Sequence, residues 1–163
     1  VPSLALSPAA QAAQSGPARA RLVLDAVNAL VSPAAVNLSW LAPDGRLEVL
    51  AVEGFPHAAA QTGRRFEVRA PTPLAEAFRT GERIWMSSAD AIGARYPLLG
   101  PLARTLGHGA WGAFPLASGG VKRGAILLAF PEGHPAPPRD QLGAVADAVA
   151  AVLSSGEPAA QRR

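Results

Sequence analysis

The 163-residue chain contains no cysteine. That absence removes disulfide frameworks, cysteine-ligated zinc, thiol nucleophiles and thioether-linked cofactors at once. Lysine is almost missing as well: Lys122 is the one Lys among fifteen cations, and the Arg residues are spread along the chain. The densest groups are Arg64, Arg65 and Arg69, then Lys122 and Arg123, then Arg162 and Arg163. Nucleic-acid footprints gather cations on one element and interleave aromatics for stacking. No segment does so, and no nucleic acid is expected as a partner. Long apolar runs are also lacking. The charge-free run 26–43 is interrupted by Asn28, Ser32, Pro33, Asn37 and Ser39, far from the roughly 20 apolar residues of a membrane span. Residues 1–13 lack the basic start and Leu-rich middle of a secretory signal, so a cytoplasmic location is expected. Because the chain begins with Val rather than Met, it reads as a processed protein or as a piece of a longer one.

Signatures of catalysis are absent too. Gly119, Gly120, Lys122 and Gly124 look like a phosphate loop, but the Gly-Lys-Ser/Thr ending is missing and a tight hairpin explains them. There is no Gly-x-Ser-x-Gly elbow and no zincin helix. His57, His108 and His134 lie far apart in sequence, each beside Gly or Pro, and read as ordinary histidines rather than metal or haem ligands. Most acidic residues of the predicted helices fall on solvent-facing stripes. The sequon formed by Asn37, Leu38 and Ser39 falls in the middle of a predicted strand and is discounted. No catalytic and no metal-binding residue is nominated.

What is present is a clear alternation of periods. Residues 1–17 read as a flexible lead-in. Residues 18–31 read as a helix, with Arg21, Asp25, Asn28 and Ser32 forming one narrow polar stripe. Leu22, Val23, Leu24, Ala26, Val27, Leu30 and Val31 cover most of its remaining surface. That is more than one sheet face can bury, so a second helical partner is expected, from this chain or from a copy. Val36, Leu38 and Trp40 then alternate with Asn37 and Ser39 as a strand. A turn at Pro43, Asp44 and Gly45 leads into a strand in which Leu47, Val49 and Ala51 share one face. Phe66, Glu67 and Val68 form a short strand candidate. Thr72 is placed as an N-cap with Pro73 at the first helical position, and Gly81 ends that helix. Residues 83–86 read as a strand, and Ser87 with Asp90 as the start of a short helix ended by Pro97. Another short piece spans 100–107. Residues 109–116 and 121–130 form a hairpin, of which 125–129 are apolar on both faces, as in a strand deep in a sheet. Leu142, Val145, Val149 and Val152 mark the last helix, 140–154, and 156–163 read as a polar tail. The domain is thus expected over 18–155, in the α+β class: a central antiparallel sheet of five or six strands, with helices on its faces.

The aromatic residues offer the one hint of a binding site. Phe66, Trp85 and Phe114 read as core. Trp40, Tyr96 and Trp111 carry polar tips that need partners. A pocket roofed by 87–107 and floored by the Trp40 and Trp111 strands would hold a flat ligand, with Arg95 as an anion partner at its mouth. The plainer alternative for Arg95 is the solvated side of a short helix. Trp40, Arg95, Tyr96 and Trp111 are the nominated ligand-binding residues.

Several stretches together resemble a GAF domain of bacterial signalling proteins, such as sensor histidine kinases, over about 18–153. These are Phe66-Glu67-Val68, the run Thr72-Pro73-Leu74-Ala75-Glu76-Ala77-Phe78-Arg79-Thr80-Gly81, Trp85, Tyr96-Pro97, Phe114-Pro115-Leu116 and Gly124-Ala125-Ile126-Leu127. The resemblance implies a small-molecule sensing and dimerisation module, with first and last helices layered on one sheet face and a ligand pocket on the other. It implies a homodimer through those helices and an output domain outside this chain, without enzymatic activity here. Covalent bilin binding and the family's methionine-sulfoxide reductase chemistry both need a cysteine and are excluded. The polar signature of cyclic-nucleotide members is not matched, so the cofactor or ligand is left unnamed. Three alternatives stand beside the sensor: a purely structural dimerisation unit, the effector-binding domain of a transcription regulator, and a small enzyme without cysteine.

Overall fold

The strand that begins at Ala35 carries the polar residues Asn37 and Ser39 and is still wholly buried along its first five residues, which requires a covering layer on each side of the sheet. The computed structural model, which describes residues 16–56 and 60–154, supplies both layers. Its elements in chain order are α1 (Gly16–Val31), β1 (Ala35–Leu41), β2 (Leu47–Glu53), β3 (Arg65–Phe66), α2 (Pro73–Thr80) and β4 (Ile84–Met86). They continue with α3 (Ala89–Arg95), α4 (Gly100–Leu106), β5 (Ala110–Ser118), β6 (Val121–Phe130) and α5 (Arg139–Ser154). The six strands form one antiparallel sheet in the order β3-β2-β1-β6-β5-β4. The architecture is the α+β arrangement expected from the sequence. Gly16 and Pro17, assigned to the lead-in, already belong to α1; residues 1–15 and the tail 156–163 lie outside the described residues.

Strand alternation divides the core in two. Val36 and Leu38 of β1, with Ile126, Leu128 and Phe130 of β6, pack under Val23 and Val27 of α1 and Val145 and Val149 of α5. The amide of Gln141 donates to the Leu30 carbonyl at 2.6 Å and joins the two helices. The second partner that α1 needs is therefore α5 of the same chain. The alternate residues Ala125, Leu127 and Ala129 face the short helices with Trp111 and Ala113 of β5, against Leu74, Phe78, Ile92 and Tyr96. Pro115 is tolerated in β5 because β4 pairs only with Trp111, Gly112 and Ala113, leaving no ladder bond there for proline to lose.

Three local details depart from the sequence reading. Leu47, Val49 and Ala51 do not share a face: Leu38 pairs with Ala51 but Ser39 with Val49, so Leu50 is the extra residue of a β-bulge. The bulge turns Ala51 and Glu53 toward α1, where Glu53 accepts from Arg21 and Asn28 at 3.1 and 3.2 Å. The strand at 66–68 shrinks to Arg65–Phe66, because the Glu67 carbonyl is taken by the Ala70 amide in a turn. The cap of α3 is Ser88 rather than Ser87: Ser88 Oγ accepts from the Ala91 N–H at 3.0 Å, while Ser87 gives its carbonyl to Gly133. Around α2 the reading and the structure agree. Thr72 Oγ1 accepts from the Ala75 N–H at 3.3 Å, and Gly81, at a φ of 72°, closes the helix on the Ala77 carbonyl.

Candidate functional site: a cavity beneath the short helices

On the sheet face away from α1 and α5, a cavity of about 210 Å³ opens between β1, β2, β5 and β6 below and α2, α4, Phe55 and residues 60–72 above. Its walls are mostly hydrocarbon: Phe55, Phe66, Leu74, Leu99, Leu102 and Trp111. The Trp111 ring lies against the Phe55 ring edge-on, with centroids 5.7 Å apart at 87°, an arrangement the aromatic quadrupole favours. Its indole N–H donates to the His108 carbonyl at 2.8 Å. The polar tip is thus satisfied by the main chain, and the ring offers the cavity apolar surface.

Four polar residues break this lining: Asn37, Gln61, Arg64 and Thr72. Asn37 is 7% exposed and Ser39 is 0% exposed. Both stand on the cavity side of β1, and Ser39 Oγ donates to Asn37 Oδ1 at 3.0 Å. Thr72 Oγ1 is already engaged as the cap of α2. Arg64 stands at the exposed rim, on a loop held to β2 by Val49, whose N–H donates to the Arg64 carbonyl at 2.9 Å. Among the described residues no aspartate or glutamate lines the cavity. The charge among these lining residues is the positive one of Arg64, around an apolar body.

The four nominated residues are not gathered at one place. Trp111 lines the cavity. Trp40 is three residues from Asn37 and so stands on the opposite sheet face by strand alternation. There it borders a second, wider hollow of about 590 Å³ with Leu41, Leu50, Leu153, Arg19 and Arg123. Arg95 and Tyr96 lie at the end of α3 and lock it to α2. The Tyr96 hydroxyl donates to Glu76 Oε1 at 2.6 Å, and the Arg95 guanidinium pairs with the other carboxylate oxygen. Arg95, with Tyr96 as a second donor, holds the Glu76 carboxyl below its usual value. Burial, reinforced by Glu76, pushes the Tyr96 phenol up to about 12. Asn37 and Arg64 were passed over in the sequence reading. The signal for Asn37 was present: a polar residue at the cavity-facing position of a strand flanked by two others. Arg64 carried no signal, since its position at the rim depends on a loop.

Among the described residues no three His, Asp or Glu side chains come together as metal ligands. His134 stacks on Phe130 with ring centroids 4.4 Å apart; His57 lies outside the described residues. Among the described residues no helix is long and apolar enough to cross a membrane.

No protein-family model matches the sequence, and no curated protein matches it. Solved structures do. The GAF domain of a two-component sensor histidine kinase from Bacillus halodurans is similar with a TM-score of 0.64 at 15% identity, over 87% of this chain and 95% of that one. The GAF domain/HD domain protein from Geobacter sulfurreducens gives 0.63 at 14% identity, over 85% and 91%. The GAF-B domain of DevS from Mycobacterium smegmatis gives 0.60 at 16% identity, over 91% and 98%. At such identities the likeness speaks for the fold: the chain has the GAF fold.

Proposed function

We propose that this GAF-fold chain is a non-enzymatic sensory or regulatory domain of a cytoplasmic signalling protein. In this reading it takes a small molecule into the cavity, pairs with a second copy through α1 and α5, and passes the signal to an output domain outside these residues. The observation that carries the reading is the cavity's position: it opens on one face of a sheet whose other face carries both terminal helices. β1 links the two sides. It gives Asn37 to the cavity and Val36 and Leu38 to the core beneath the helices. A ligand that binds one arrangement of this strand better than another shifts the helix layer by its difference in affinity. The sensor kinase among the structural neighbours supports a signalling context.

Size narrows the ligand. The cavity, at about 210 Å³, is smaller than the roughly 300 Å³ at which drug-sized sites begin. It is larger than the ~150 Å³ that accommodates benzene. A haem, a bilin or a cyclic nucleotide would have to push the short helices outward. Of the nominated residues, Trp111 touches the ligand in this proposal, and Arg95 and Tyr96 act at one remove through Glu76 of α2. Trp40 belongs to the helix side.

The test is native mass spectrometry on the purified chain, paired with a fragment screen by NMR and the variant Leu102→Trp. The expected result is a retained or screened small molecule that shifts cavity-lining resonances in the parent chain and none in the filled variant. Ligands that shift only resonances elsewhere would refute the cavity. A chain that binds nothing and is a dimer all the same would be a structural dimerisation unit.

A further inference from the structure

We infer that the ligand is a small organic acid, with its carboxylate on Arg64 at the mouth and an oxygen acceptor at its inner end on the Asn37 carboxamide. The inference rests on the cavity being a ligand site. It starts from the Ser39 hydroxyl, which is fully buried and has Asn37 as its hydrogen-bond partner. If the carboxamide were turned over, its NH₂ would face Ser39 and the buried hydroxyl proton would have no acceptor. The bond therefore fixes Oδ1 toward Ser39 and the NH₂ toward the cavity. Among the described residues that NH₂ has no partner. Asn37 lines the cavity, so this NH₂ presents a donor from a nearly buried residue to whatever occupies the space. An oxygen of the ligand accepts from it.

Arg64 supplies the other end. Its neighbour Arg65 pairs with Glu48 at 2.8 Å and Asp44 at 3.1 Å, and Arg46 pairs with Asp44 at 2.9 Å. Arg64 has no carboxylate partner among the described residues, although it lines the cavity. One guanidinium matches one carboxylate in a two-bond fork and leaves a phosphate dianion half balanced. Between the two ends lie Leu74, Leu99, Leu102 and Trp111, so the body of the acid is hydrocarbon or aromatic. Scaling from benzene in its ~150 Å³ cavity, the space holds about eight non-hydrogen atoms, with the carboxylate outside it at the mouth.

The experiment is an NMR titration of the chain with 4-hydroxybenzoate and a panel of oxo- and hydroxy-acids of similar size, aliphatic acids included. Each acid is compared with its primary amide and with the analogue lacking the far oxygen, such as 4-hydroxybenzamide and benzoate. We expect acids to bind about tenfold or more tightly than amides, with the Asn37 side-chain NH₂ resonances shifting. Arg64→Gln should erase the preference for acids without changing Tm. Asn37→Leu should bring 4-hydroxybenzoate down to the affinity of benzoate; if that variant does not fold, the wild-type NH₂ resonances decide this arm. Amides binding as tightly as acids, an acid preference that survives Arg64→Gln, or NH₂ resonances unmoved by bound acid would each overturn the inference while leaving the cavity a ligand site. A panel that moves no cavity-lining resonance would overturn the inference and count against the ligand site as well.

Discussion

The Tyr96 hydroxyl reaches Glu76 Oε1 at 2.6 Å and so braces the end of α3 against the middle of α2. Arg95 pairs with the second oxygen of the same carboxylate. The brace matters to the cavity because Pro73 and Leu74, in the first turn of α2, belong to its wall. The end of α3 is thus tied to the helix that roofs the proposed site through one carboxylate.

Tyr96 is the only tyrosine in the chain, so its ionisation can be read by tyrosinate absorbance without interference. The phenol is 4% exposed. Burial first, then the bond to Glu76, raise its pKa from 10.0 to about 12. A group raised in the folded state contributes stability in full below its unfolded pKa and loses it as pH rises through the folded one. The folded chain should therefore titrate near 12 and the urea-unfolded chain near 10. Stability should fall across that window, and Tyr96→Phe should flatten the fall. A native titration near 10 would show that the brace is open in solution.

Glu76 works in the opposite direction. Its carboxyl is held below 4.5 by Arg95 first and by Tyr96 second. A depressed acid contributes stability above its unfolded pKa and loses it as pH falls through the folded one. Arg95 is about half exposed, so much of its attraction is screened, and the part-buried Tyr96 bond adds to it. Glu76→Gln should cost about 1–2 kcal/mol at pH 7. Its denaturation curve should converge with that of the parent chain as pH falls below 4.5. Urea titrations at pH 7 and pH 3.5 give the comparison, and an equal gap at both would exclude an ionic role.

How much of this was legible depended on how local the deciding contact is. The cap at Thr72, the proline after it and the glycine at position 81 act within a few residues of backbone, and the sequence states them outright. The sheet's centre was equally plain, since 125–129 must be buried on both faces. The site was harder. Trp40 was nominated for its indole, although its alternation with Asn37 already put the two on opposite faces. Ala51 was put on the wrong face because one inserted residue, Leu50, reverses the alternation and leaves no compositional mark. Glu76 is 20 residues from Tyr96, and no period connects them.

The outer surface of the terminal helices bears on the proposed pairing of two copies. Leu22 of α1 is 47% exposed and is the large apolar side chain that α1 and α5 leave most open among the described residues. A half-exposed side chain contributes little to the monomer, so Leu22→Glu should change folding stability by no more than about 0.5 kcal/mol. In a dimer built on this surface it would bury a charge without a partner, which is far more costly. Sedimentation should show a dimer for the parent chain and a folded monomer for Leu22→Glu, with the parent's Tm rising with protein concentration and the variant's independent of it. A parent chain that sediments as a monomer, or a variant that remains a dimer, would move the interface elsewhere.

Two glycines predict opposite outcomes for one substitution. Gly124 of β6 pairs with Trp40 of β1, and a Cβ there would lie 2.2 Å from the Ser39 carbonyl oxygen and 3.0 Å from the Trp40 Cα. Backbone cannot yield as a side-chain tip does, so Gly124→Ala must push the two central strands apart. Overpacking of this kind costs about 1–3 kcal/mol, and it falls where β1 joins the cavity floor to the helix layer. Gly143, in α5, would bring its Cβ within 4 Å of nothing. Alanine there removes conformational freedom from the unfolded chain and gains helix propensity, a stabilisation of about 0.5–1 kcal/mol. Thermal unfolding should move down for Gly124→Ala and up for Gly143→Ala. If Gly124→Ala were neutral, the close approach of β1 and β6 would not hold in solution, and the coupling of cavity to helices through β1 would lose its physical basis.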